Sequence, residues 1–131
     1  MKIRFYSNFR EDKRKSMNVV LNYLVNNASK DKKKNVTVFI PSFKNSKKKF
    51  LNRSWQLRYA RYFDYPKQIK TLKSVDISHI IDHQYAHLVH QINSNKKIIT
   101  VHDLIPVIYQ KRLKKNPYLV KYSLKHLKFL I

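Results

Sequence analysis

Two adjacent acid–imidazole pairs hold the clearest chemistry in this sequence, Asp82-His83 and His102-Asp103. Each follows an apolar run, Ile77 to Ile81 or Ile98 to Val101, that reads as a β-strand, so both pairs fall where the backbone leaves a sheet. A His and a carboxylate in that position can orient a hydroxyl, accept its proton or bind the vicinal oxygens of a sugar. The structural alternative is that Asp103 caps a turn and His102 satisfies a buried backbone group. His79, His83, His87 and His90 are spaced by 4, 4 and 3 residues, which on one continuous helix would align four imidazoles for zinc. Ile77, Ile80 and Ile81 instead make residues 76–82 a strand, which points His79 away from His83; with no Cys in the chain, no metal site is expected. Tyr85 and His87 are expected to be packing and substrate-contact groups. Arg10, Lys13, Arg14 and Lys15 form a basic loop that either neutralises a diphosphate near the following helix or is simply solvated.

These residues need elements to hold them. Lys2 to Ser7 alternates Ile3 and Phe5 with polar neighbours, the pattern of a strand, and ends at Ser7 and Asn8. Ser16 is the expected cap of a helix whose apolar stripe is Met17, Val20, Leu21, Leu24, Val25 and Ala28. Val36 to Ile40 is β-branched and aromatic and predicts a second strand buried on both faces, stopped by Pro41. Trp55, Tyr59, Tyr62 and Phe63 mark a helix that Pro66 should end near Tyr65, with a short piece carrying Ile69 and Leu72 after it. A helical stretch around residues 86–92 separates the third and fourth strands. A last helix opens at Asn116-Pro117, with Val120, Leu124, Leu127 and Ile131 on one side.

The resulting order, β-α-β-α-β-α-β-α, predicts a partial Rossmann-like, doubly wound parallel sheet in one domain, residues 1–131. With strand order 3-2-1-4, strands one and four are neighbours and the ligand sits beyond their carboxyl ends. That placement gathers Asn8 and His102-Asp103, with Asp82-His83 farther along the same edge.

Composition narrows the classes of function. The 131 residues include 29 Lys and Arg against 7 Asp and Glu, a formal charge of +22. Seventeen aromatic rings, 7 Phe, 9 Tyr and 1 Trp, are too many for a disordered chain. With no Cys there is no disulfide framework, and with no Gly there is no phosphate-cradling glycine loop. The charge suggests nucleic acid, but Lys outnumbers Arg threefold, no nucleic-acid motif is present, and such a composition also follows from an AT-rich genome. Residues 75–109 hold three Asp, two Lys and five of the six His, a near-neutral island inside basic flanks. A purely electrostatic binder has no use for such an island. No signal peptide or bilayer-length apolar run is visible, so a cytoplasmic location is expected. Arg112, Lys114, Lys115, Lys121, Lys125 and Lys128 make residues 111–131 a candidate surface for an anionic membrane, peripheral at its inner face.

The stretch Asp76-Ile77-Ser78-His79-Ile80-Ile81-Asp82-His83-Gln84-Tyr85-Ala86-His87-Leu88, with Thr100-Val101-His102-Asp103-Leu104-Ile105-Pro106, resembles the N-terminal domain of glycosyltransferase family 4, a group with the two-domain GT-B fold. Arg61-Tyr62, Tyr65-Pro66 and Ser16-Met17 resemble neighbouring segments of some members. The resemblance implies a hexosyltransferase that moves a sugar from a nucleotide-sugar donor to an acceptor hydroxyl on a glycan, lipid or protein. Configuration would be retained, with no cofactor or required metal. It places His102 and Asp103 at the reacting centre and His83 on the acceptor side. Many members have a Gly-containing loop where this chain has Arg10 to Lys15. The chain also ends before the last strands of such a domain and before the donor-binding domain, so alone it is expected to be an incomplete, inactive portion, the front of a split, truncated or decaying gene, with the donor domain either missing or on a separate chain. The competing expectation is a small basic protein that binds nucleic acid or anionic membranes without catalysis.

Overall fold

The computed structural model of the protein describes residues 1–43 and 52–102. Four parallel strands, β1 (Lys2–Tyr6), β2 (Asn35–Phe39), β3 (Val75–Ile80) and β4 (Ser94–Ile99), form one sheet in the order β2-β1-β3-β4. Helix α1 (Lys15–Ser29) joins β1 to β2. Helices α2 (Arg53–Tyr59) and α3 (Tyr65–Lys70), linked by a π-helical turn at Ala60–Asp64, precede β3. A 3-10 segment over His83–His90 joins β3 to β4. The α/β class and the parallel sheet therefore stand as expected from the alternation of elements.

The strand order does not. β1 is flanked by β2 and β3, with Ile3 opposite both Val36 and Ile77, and Tyr6 opposite both Phe39 and Ile80. The chain reverses direction across the sheet between β1 and β3, so the neighbouring carboxyl ends are those of strands one and three rather than one and four. Among the described residues β2 lies at the edge of the sheet, and it is mostly exposed rather than buried on both faces. β4 begins at Ser94, four residues before its apolar part. Its ladder pairs Lys96 and Lys97 with Ile77 and Ser78, main-chain contacts that side-chain polarity does not veto.

Alternation along the strands separates two apolar clusters. Ile3 and Phe5 pack with Ile77, Val36 and the stripe of α1, Met17, Leu21, Leu24, Val25 and Ala28. Tyr6, Ile80, Phe39 and Ile99 pack with Ala60, Tyr65 and Ile69 and with Tyr85, Leu88 and Val89 of the 3-10 segment. Full burial of side chains such as Phe5, Leu21, Ile80 and Leu88 contributes about 1.5–3 kcal/mol each. The expected Ser16 cap is absent: α1 starts at Lys15 with Arg14 in the cap position and no side-chain cap bond.

Pro66 acts differently from a simple break. It lies in the first turn of α3, and the Tyr65 N–H reaches back five residues to the Ala60 carbonyl. The next bond in that register would need an N–H on residue 66, which proline lacks. The Arg61 carbonyl thus released accepts from His87 Nε2 at 3.0 Å, tying the helical run to the segment after β3.

Candidate functional site

The loop after β1 and the segment after β3 meet over the carboxyl end of the sheet, as the reversal between those strands requires. Asp82 caps the 3-10 segment by accepting from the Gln84 N–H at 2.9 Å through Oδ1. Its other oxygen accepts from Asn8 Nδ2 at 2.7 Å and Arg14 Nη1 at 3.1 Å. Arg14 Nη2 also donates to Gln84 Oε1 at 2.6 Å. His83 Nδ1 stands 3.6 Å from Asp82 Oδ1, beyond hydrogen-bond length. Asn8, Asp82 and His83 are all buried, and Asn8 Oδ1 has no hydrogen-bond partner among the described residues.

A second carboxylate lies behind the first. Asp12, in a 3-10 turn at Arg10–Asp12, accepts from Arg61 Nη2 at 2.9 Å and from the Tyr85 hydroxyl. The Arg61 guanidinium also lies over the Tyr85 ring, 5.1 Å from its centroid. Burial opposes the charge on Arg61, but Tyr85 and Asp12 outweigh it and raise its pKa. Burial likewise pushes the Tyr85 and Tyr65 hydroxyls upward, so both stay protonated donors at ordinary pH. Tyr65 uses its proton on the Ser7 carbonyl at 2.6 Å. Lys13 closes the turn with φ of 53°, a left-handed conformation that a non-glycine residue adopts at a cost of about 1–2 kcal/mol. The pins from Tyr65, Tyr85 and Arg61 hold the loop in that shape without glycine.

His102 comes to the same edge from β4. Its Nε2–H donates to the Ile81 carbonyl at 2.7 Å, which fixes the tautomer and leaves Nδ1 as the acceptor in the neutral ring. The residue is exposed, unlike Asp82 and His83. One strand below, His79 Nε2 lies 2.7 Å from Thr100 Oγ1; burial and then the nearby His102 lower its pKa.

The structure thus brings Asn8, Asp82, His83 and His102 to one edge. Tyr85 and His87 are buried in packing and hydrogen-bonding roles, Tyr85 on Asp12 and His87 on Arg61 and the Tyr62 ring. Of the basic loop, Arg14 is engaged with Asp82 and Gln84, while Arg10, Lys13 and Lys15 are exposed. Asp103 and residues 111–131 lie outside the described residues. Among the described residues no three His, Asp or Glu side chains group so as to hold a metal, and no helix is long and apolar enough to cross a membrane. Sequence reasoning missed Asp12, Arg61 and Gln84. The available signal was scarcity: with only seven acidic residues against 29 basic ones, an acid inside the basic loop had a specific partner to find. Comparison with protein-family models, with curated proteins and with solved structures finds no match.

Proposed function

We propose that this chain is the acceptor-side portion of a nucleotide-sugar-dependent glycosyltransferase, built on a doubly wound, Rossmann-like sheet. The observation that carries the reading is the placement of His102 beside the Asp82 cluster: its Nε2 meets the buried Ile81 carbonyl, as the structural alternative expects, but the residue is exposed and its Nδ1 is left as a second, acceptor nitrogen. In this reading His102 Nδ1 takes the proton of the acceptor hydroxyl as that oxygen bonds to the sugar and the nucleotide leaves. Asp82, with both oxygens already accepting, holds Asn8 and Gln84 in place rather than exchanging protons. Asn8, tied to Asp82 through Nδ2, shapes the same edge without exposing its Oδ1. Asp103 belongs to the same reading through the family resemblance. Arg10, Lys13 and Lys15 remain exposed cations for a donor phosphate, whereas Arg14 would first have to leave Asp82.

The test is an NMR titration of labelled protein with methyl glycosides of glucose, mannose, galactose and N-acetylglucosamine. Saturable shifts of the Asn8, Gln84 and His102 amides are expected with at least one sugar, and they should vanish in His102→Ala. Shifts confined to other surfaces, or none with any of these sugars, would overturn the assignment.

A further inference from the structure

The helical run from Arg53 to Lys70 turns Ala60, Tyr65 and Ile69 to the core and leaves an aromatic ridge outward. Trp55 is 56% exposed and Phe63 54% exposed, large values for such side chains. Tyr59 stacks on Phe63 with ring centroids 4.8 Å apart and planes inclined by 24°. Arg58, Lys67 and Lys70 are exposed on the same run, and Asp64 is its only acidic residue.

From this geometry we propose that the ridge Trp55, Tyr59 and Phe63, with Arg58, Lys67 and Lys70, docks the protein on an anionic lipid bilayer. Rings of this kind settle at the headgroup boundary of a bilayer, and Lys or Arg beside them attract anionic headgroups. The arrangement of the rings decides against single-stranded nucleic acid, which needs open aromatic faces on which to stack bases. Here Tyr59 and Phe63 cover each other, and the Arg58 guanidinium lies 5.1 Å from the Trp55 ring centroid. The outward face of α1 provides an internal contrast. Val19 and Tyr23 are exposed by 68% and 69%, yet Ser16 to Ser29 carries no charge at all, so it offers apolar surface without attraction for headgroups. The proposal is independent of the glycosyltransferase reading.

Trp55 is the only Trp in the chain, so its fluorescence reports this ridge alone. The experiment adds vesicles of equimolar phosphatidylcholine and phosphatidylglycerol to the intact protein, with and without brominated acyl chains. Emission should shift to the blue and be quenched by the brominated lipid, with no response to phosphatidylcholine alone. Arg58→Gln, Lys67→Gln and Lys70→Gln should each weaken partitioning about fivefold. Phe63→Ser should reduce the blue shift, whereas Val19→Ser with Tyr23→Ser on α1 should leave it intact. With a charge of +22, adsorption through another face is the competing outcome. Vesicle binding with unmoved Trp55 emission would overturn the proposal. So would quenching by single-stranded DNA without a response to vesicles.

Discussion

Asp12 and Asp82 sit in one polar layer over the sheet, their side chains 2% and 1% exposed, yet they are held in different ways. Asp12 is closed on both sides, since Arg61 is itself only 16% exposed and Tyr85 is buried. Asp82 is closed on one side by Asn8 and open on the other through Arg14, which is 36% exposed. Gln84 Oε1 joins the two, accepting from Arg14 at 2.6 Å and more distantly from Arg61 at 3.4 Å. The difference separates anchoring from binding. A carboxylate whose cation cannot reach solvent fixes a loop, whereas one whose cation can has a partner free to be exchanged for a ligand.

The largest expected effect follows from the closed pair. Arg61→Ala leaves Asp12 buried with only the Tyr85 hydroxyl, and breaking a buried pair in this way costs about 3–5 kcal/mol. Arg14→Ala should cost about 1 kcal/mol or less, because its charge is partly in solvent and Asp82 keeps Asn8 and the Gln84 N–H. Urea denaturation midpoints of the two variants measure the contrast. Equal losses would mean that the open and closed ends are one structural unit and that the distinction has no functional content.

How much of this was legible depended on the range of the interactions. β1, α1 and β3 announce themselves through local period, Ile3 and Phe5 in alternation or Leu21 and Leu24 on one stripe. Asn8, Asp82 and His102 could be named because each follows a strand, and any parallel sheet puts those ends together. The pairings of Asp12 with Arg61 and of Gln84 with Arg14 span 49 and 70 residues and leave no periodic trace. Sheet order was hidden for a related reason. The connection between β2 and β3 is long enough to return on either side of the sheet, and no residue in β1 specifies whether β3 or β4 lies beside it. That Pro66 interrupts a helix is local knowledge, because its missing N–H acts within one turn. That the freed Arg61 carbonyl would find His87, 26 residues away, is not.

The smallest expected effect sharpens the comparison through pH. The open end includes an imidazole whose pKa is lowered, His79 near His102, whereas the closed end has a guanidinium and a phenol whose pKa values are both raised, away from neutrality. Burial, reinforced by His102, lowers the pKa of His79 below its ordinary 6.5, so folding favours the neutral ring. Below that value the unfolded chain binds this proton more readily than the native state does. The stability His79 contributes is therefore fully present above about pH 6.5 and is lost as pH falls through its lowered native value. Unfolding free energy measured from pH 8 down to pH 5 should decline over the lower part of this range, and His79→Asn should flatten that decline. Hydrogen exchange should place the loosening at Thr100 and His102 and spare the Asp12 turn. If His79→Asn leaves the slope unchanged, or if the Asp12 turn opens in step, the two ends do not titrate separately and the open end loses its claim to be the responsive one.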